Sequence, residues 1–578
     1  MVPRQPSLRK TEMPASHPTQ KSVWDLRRAE LLSSLARPPQ ATFSRLGRIT
    51  TLASASRRVP DRLIAESLAE MLASVTGDHV LLLVIVPSDA GATAKVWSPL
   101  HSLPNNGFAF ADQLQHLGSF DRLTLRVTNH LAERQFLSAF FGHCARYFGQ
   151  VLVLVDADAP RQALAEAAGR SSATYVFTQQ TVDSLFEFNQ LDRELRAARE
   201  GVATDLKLVL CLEHDEVPQP AEDFIKQIGQ PAHLNLHESP ATMDSLHSHC
   251  GGVWPVAFKF DLRRFAREIG RCRVGLALSS GGAKGLAHIG VLQVLEENGV
   301  EVDLVAGTSM GAYIGALWAF GHDGQFIEDK ARELEGKWGL LKLIDPAFPP
   351  RRGFIHGHAI QGRLERSIGD ARFEQLARPL RVVTTRFDTL ERVVFSTGEV
   401  PPVVLASCAI PSVFVPVRLD GESYIDGGVS DPLPVDVLRE AGVERVIAVN
   451  IIPTSAFLRC AREHEREQVD VKRRRFDFLR LLNQQVNYFA YGNILDVTQR
   501  AVIGGQIRAA EDACRQADVV LRPLACDSRW HDFSNPGKYI SLGRRVAEEN
   551  LADIKQLVNR KEPTHEHETP HHELAAAA

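Results

Sequence analysis

The stretch Gly307-Thr308-Ser309-Met310-Gly311 constrains this chain most, because an alternating, strand-like run (300–306) leads into it and an apolar helical run (312–320) leads out. A strand can turn into a helix this abruptly only around small side chains, and glycine stands two positions to either side of Ser309. Such a turn projects the serine hydroxyl, which is a poor nucleophile unless presented in this way. Average glycine and serine usage would produce the pentapeptide by chance in about one chain in five of this length. The flanking strand and helix therefore carry the reading.

A second glycine cluster, Ser279-Ser280-Gly281-Gly282-Ala283-Lys284-Gly285, again follows a strand (273–278) and precedes a helix (286–297). Backbone amides in a loop without bulky side chains, opening onto a helix N-terminus, can face an anion. Beside a nucleophilic serine, that describes an oxyanion hole. The alternative is a nucleotide phosphate loop, but Lys284 is followed by Gly285 where that motif needs Ser or Thr. A third element, Asp426-Gly427-Gly428, ends a short hairpin over 419–425. Asp-Gly alone marks a turn, as Asp323 and Asp420 do, but Asp426 arrives at the end of an apolar strand and its two glycines leave the carboxylate uncovered.

Glycine loop, serine elbow and Asp-Gly-Gly, in that order within about 150 residues, resemble the patatin-like phospholipases, in particular their bacterial and neuropathy-target-esterase-like branch. The resemblance runs from about Arg273 to Asn450 and includes the continuation Leu286-Ala287-His288-Ile289-Gly290. It also takes in Ala406-Ser407-Cys408-Ala409-Ile410-Pro411 and Asp431-Pro432-Leu433-Pro434-Val435. It implies a three-layer α/β/α hydrolase with a Ser-Asp dyad, in which Ser309 is the nucleophile and Asp426 the general base. Gly281, Gly282 and Ala283 would hold the oxyanion with their amides. Lys284 would occupy the family's basic position, and Gly285, Gly307, Gly311, Gly427 and Gly428 would support the motifs. One departure stands out: the family's first loop glycine falls on Ser280, which would cost about 1 kcal/mol were a positive φ required there. A Ser-Asp-His triad is the competing mechanism. His464 and His531 lack strand-end context, and His288, on the helix after the glycine loop, reads as a packing residue.

With 578 residues, two or three domains are expected. A net charge of -4 argues against nucleic-acid binding through phosphate neutralisation. Eight cysteines without C-x-x-C spacing suit reduced thiols in the cytoplasm, and no metal or cofactor is expected. The longest wholly apolar run, 80–86, has a strand's length, not a membrane span's. Residues 1–44 read as a disordered leader, since the first 21 contain no apolar signal core.

Ahead of the hydrolase, a region over 45–257 alternates strands (48–53, 80–86, 150–155, 173–178, 205–212) with helices (61–73 among them), the pattern of an open parallel sheet. Its first strand-loop-helix, together with the strand ending at Asp156, weakly resembles the frame of a ParA/MinD-type P-loop ATPase. The loop 54–61 lacks glycine and the Gly-Lys-Thr that grips phosphate and magnesium. The expectation is a degenerate α/β domain that hydrolyses no nucleotide, with Arg57 and Arg58 a solvated basic pair or, alternatively, an attraction for an anion.

The hydrolase core is expected over 272–452, followed by a helical part over 453–558 and a disordered tail over 559–578. The basic run Lys472-Arg473-Arg474-Arg475, leading into Phe476, Phe478, Leu481 and Leu482, suits either packing on the hydrolase or docking on anionic lipid. An edge strand (518–523) and one closing helix (540–558) are expected beyond it. The chain thus reads as a cytoplasmic α/β serine lipid esterase acting on a phospholipid or lysophospholipid, with peripheral contact at the inner face of a membrane. Two alternatives stand beside it: a membrane- or protein-associated scaffold with a vestigial hydrolase, and a hydrolase of small soluble esters or thioesters. Head group, acyl position and oligomeric state are not legible.

Overall fold

The computed structural model describes residues 47–88, 113–127, 131–198, 206–214, 216–238, 255–336, 343–349, 351–459, 463, 493–524 and 532–560. The leader, His464, the basic run 472–475 with the apolar positions after it, His531, and residues 561–578 of the tail lie outside them.

The fold is mixed α/β and is built on two sheets. The first contains β1 (Arg48–Ser54), β2 (Val80–Pro87), β3 (Gln115–His116), β4 (Asp121–Val127), β5 (Gln150–Val155), β6 (Ala173–Thr178), β7 (Leu206–Cys211) and β8 (Leu234–Leu236). Its order is β3-β4-β2-β5-β1-β6-β7-β8, parallel throughout except at the β3 edge. Alternate residues of β2 and β5 enter different cores: Leu81, Leu83, Val151 and Val153 pack on one face, while Leu82, Val84, Leu152 and Leu154 pack on the other. Burial on both faces is why these strands read as unbroken apolar runs rather than alternating ones.

The loop after β1 carries no phosphate grip. Ser54 Oγ donates to its own loop at Ser56 O (2.6 Å), and the exposed Arg57 pairs with Asp158.

The second sheet contains β9 (Val274–Leu278), β10 (Leu304–Thr308), β11 (Leu380–Arg386), β12 (Arg392–Phe395), β13 (Val417–Leu419), β14 (Glu422–Asp426), β15 (Arg445–Val449) and β16 (Val519–Leu521). Its order is β13-β14-β11-β10-β9-β15-β16, with β12 paired to β11. One core (Leu276, Leu278, Val305, Val382, Ile447) lies on one face and another (Ala277, Ala306, Val383, Ala448) on the opposite one, so helices sandwich the sheet as a three-layer hydrolase requires.

The register around β11 matters for function. β10 pairs with β11 only as far as Thr308↔Val383, and β12 occupies the far edge of β11 over Val382–Thr385. Beyond the end of β10, the vacated edge is taken by antiparallel β14, through Thr384↔Asp426. The last residue of β14 therefore lies beside the residue that follows β10.

Two expectations need correction. The strand before the elbow begins at Leu304 rather than 300. The closing helix is two helices, Pro536–Glu549 and Leu551–Asn559, because the first ends at Asn550, whose side-chain Nδ2 donates to Val546 O (2.8 Å). The first of these packs against Ala287–Glu297 at Gly290 and Gly543, where a Cβ would lie 2.0 Å from Ile540 O and 1.9 Å from Ala287 O. β16 is an edge strand, as expected. No helix among the described residues is long and apolar enough to cross a membrane.

Candidate active site

Ser309 follows β10 with φ 56° and ψ -120° and caps the helix Met310–Phe320. A serine at this positive φ is a strained residue held by its surroundings, as a sharp strand-to-helix turn requires. Ser407 Oγ accepts from Ser309 N (2.8 Å) and donates to Val383 O (2.6 Å) on β11. Thr308 Oγ1 donates to Asp431 O (2.9 Å). At Gly285, Gly311 and Gly427 a Cβ would come within 2.2 Å of Met310 Cγ, Leu278 O and Val383 O, and at Gly307 within 2.6 Å of Gly311 O. Gly307, Gly311 and Gly427 are contact points between backbones, while Gly285 makes room for the Met310 side chain.

Asp426 Oδ2 accepts the Ser309 hydroxyl at 2.6 Å, and its Oδ1 accepts Gly428 N at 2.7 Å. Its own N–H donates to Ala409 O (2.9 Å), which ties β14 to the Cys408-Ala409-Ile410 block. Ser309 and Asp426 are both buried, at 4 % and 5 % exposure. Burial pushes the Asp426 carboxyl up to about 6, against the hydrogen bonds from Ser309 and Gly428 that pull it down.

Ser280, Gly281, Gly282 and Lys284 line one side of the cleft above Ser309, with Ile410, Pro411 and Val429 on another. The departure at Ser280 proves harmless to backbone geometry. Ser280 has no positive φ, Gly281 is extended at φ 163°, and the left-handed position is Gly282 at φ 58°, where glycine is retained. Ser280 N donates to Pro432 O (2.9 Å), so that amide is committed to the Asp431-Pro432 segment, which pins loop and elbow together. Ala283 is fully buried and does not line the cleft. Lys284 contributes a cation whose basicity burial lowers.

His288 is not part of this constellation. It is wholly buried, its Nε2 donates to Ser279 O (2.9 Å), and burial holds it down at about 4, so it is a neutral packing residue. Cys408 is buried too, and burial pushes its thiol up. No His/Cys/Asp/Glu group among the described residues could hold a metal.

Sequence reasoning gave no role to Ser407, Pro432 or Gln506. Gln506, with Thr498, Val502 and Ile503, comes from the helix Ile494–Cys514 and closes the remaining wall; a Cβ on Gly428 would lie 2.7 Å from its Nε2. The blocks containing Ser407 and Pro432 were legible as part of the resemblance, but their bonds were not.

Comparison with known proteins places residues 276–439 in the family described as Patatin-like phospholipase. An uncharacterized NTE family protein of Mycobacterium tuberculosis (strain ATCC 25618 / H37Rv) is 37% identical over 179 residues, covering 31% of this chain and 49% of that protein. Lysophospholipase nte1 of Aspergillus fumigatus is 33% identical over 196 residues, covering 34% of this chain and 13% of that protein. This chain thus spans about half the length of the mycobacterial relative and much less of the fungal one. Among solved structures, the MinC:MinD cell division protein complex of Aquifex aeolicus aligns with TM-score 0.30 and 12% identity, covering 39% of this chain and 95% of that one. The segment that bears the glycine loop and the serine elbow is a patatin-like phospholipase domain, carried in the C-terminal region of the chain.

Proposed function

We propose that this chain is a serine esterase of the phospholipase A or lysophospholipase type, releasing a fatty acid through an acyl-enzyme on Ser309. The observation that carries the proposal is the 2.6 Å hydrogen bond from Ser309 Oγ to Asp426 Oδ2 in a cleft lined by Gly281 and Gly282. Ser309 Oγ attacks the ester carbonyl as Asp426 takes its proton, and the Gly281 and Gly282 amides stabilise the tetrahedral oxyanion. Collapse expels the alcohol, which recovers the proton from Asp426. Water, deprotonated by the same carboxylate, then releases the fatty acid. The N-terminus of the helix Met310–Phe320 adds the positive end of its dipole at the attacking oxygen.

A carboxylate is a weak base, and raising its pKa toward 6 strengthens it while leaving it ionised at neutral pH. kcat/KM for an uncharged ester is therefore expected to fall as pH drops through about 6 and to level off above it. A rate undiminished at pH 5 in a buffer series would contradict Asp426 as the base.

A second reading rests on the cleft's size. At about 70 Å³ it is far smaller than the 300–1,000 Å³ of ordinary ligand pockets. A lysophospholipid needs the face of helix Ile494–Cys514 to yield, whereas a small ester or thioester does not. A substrate panel separates the two: turnover confined to short acyl groups would favour the small-ester hydrolase. Under the lipid reading the protein visits a membrane surface from the cytoplasm or takes lipid monomers from water.

A further inference from the structure

A cavity of about 570 Å³ lies between the two sheets, well inside the range of small-molecule sites. Its walls are the N-terminal ends of strands from both: Leu206 and Leu234 begin β7 and β8, Leu304 and Leu380 begin β10 and β11, and Arg273 immediately precedes β9. Ser309 sits past the opposite end of β10, and none of the residues lining its cleft lines this cavity. The two are separate sites.

The charges at the wall do not cancel. Glu268 is engaged by Tyr175 Oη (2.7 Å), His233 Nε2 (2.7 Å), Lys207 Nζ (2.9 Å) and Arg273 (3.2 Å). Asp303 is held by Arg267 and by Val274 N, and Glu374 Oε1 accepts the amides of Ala221 and Gly398. Arg381 pairs with no carboxylate among the described residues. Its one side-chain hydrogen bond there, from Nη1, goes to the Leu380 carbonyl (3.2 Å). Burial, and then the neighbouring Arg273 guanidinium, push Arg381 below its ordinary value, with no carboxylate opposing them. Arg381 is half-buried at the cavity wall and a guanidinium keeps its proton there, so its charge is available to an anion that enters the cavity. Arg273 spends its Nη1 on Glu268 and its Nη2 on the carbonyls of Ala441 and Gly442, and Lys207 shares Glu268, which leaves the planar fork of Arg381 free for the oxygens of a phosphate. Phe373, Leu376 and Pro231 add apolar wall for an organic body.

We infer that this cavity binds a phosphorylated small molecule, with Arg381 holding its phosphate. The inference does not depend on the esterase reading, and its test is made on full-length protein carrying Ser309→Ala, where ester chemistry plays no part. ADP, AMP and inorganic pyrophosphate are titrated by calorimetry, with adenosine as the uncharged control, and melting temperatures are recorded in parallel. At least one phosphate is expected to bind saturably and raise the melting temperature, adenosine is not, and Arg381→Gln is expected to weaken binding at least about tenfold. With no ligand, Arg381→Gln should melt no lower than its parent, because the substitution removes a half-buried cation that no carboxylate among the described residues compensates. Should that variant not fold, Arg381→Lys keeps the charge but loses the planar fork, with a loss of about threefold expected. Absence of saturable binding by all three phosphates, or binding that the Arg381 variants leave unchanged, overturns the inference.

Discussion

Asp426→Asn is expected to lower ester turnover at least about a hundredfold while leaving the protein folded and no less stable. The amide can still accept Gly428 N, but the group facing Ser309 Oγ, now 2.6 Å from a carboxylate oxygen, no longer takes a proton. Stability should move the other way because burial raises the Asp426 carboxyl from 3.8 to about 6 in the folded protein. Between those values the folded state binds more protons than the unfolded chain, so this group makes stability fall as pH rises from about 4 to about 6, with no further change above. The asparagine variant lacks that term. Its melting temperature at pH 7 should equal or exceed that of the parent, as read by thermal denaturation across pH. Wild-type turnover in this variant would remove Asp426 from the mechanism, and a collapse of the fold would recast it as a structural residue.

Gly311→Ala should behave in the opposite manner, losing the fold and with it the activity. A Cβ there would sit 2.2 Å from Leu278 O and 2.8 Å from Ser279 O, both backbone atoms of β9 and the loop it enters. Side chains can rotate away from an added methyl, but a parallel strand bonded on both sides, to β10 and β15, cannot. A destabilisation of at least about 3 kcal/mol is expected, at the upper end of overpacking effects. Urea denaturation, or failure to obtain soluble protein, reads it. A variant of normal stability would mean that the elbow packs less tightly than the geometry here requires.

The contrast between these residues shows what was legible in the sequence. Ser309, Asp426 and the loop Gly281-Gly282 announce themselves because each needs special local chemistry: a small-residue turn, a carboxylate followed by two glycines, a chain without side chains. Strands β2 and β5 were legible because burial on both faces leaves apolar runs. Strand β4 was passed over. Its sequence alternates Leu123, Leu125 and Val127 with polar residues, and its charged positions hid a period-2 pattern that buries one face. Ser407 could not be assigned a task, since it steadies Ser309 from 98 residues away and nothing near it in the chain requires a serine. Gln506 lies on a helix whose neighbourhood only the fold defines. The doubt over Ser280 came from assigning the loop's left-handed residue by motif position; the backbone places it at Gly282.

The measurement that tests the account most directly is fatty-acid release from a lysophospholipid, presented below and above its micelle concentration, by the wild-type protein and by Ser309→Ala side by side. Release by the wild type, reduced at least about a hundredfold by the substitution, is the predicted result. Release that Ser309→Ala sustains at the wild-type rate, or none from a folded wild-type protein at either concentration, would contradict it.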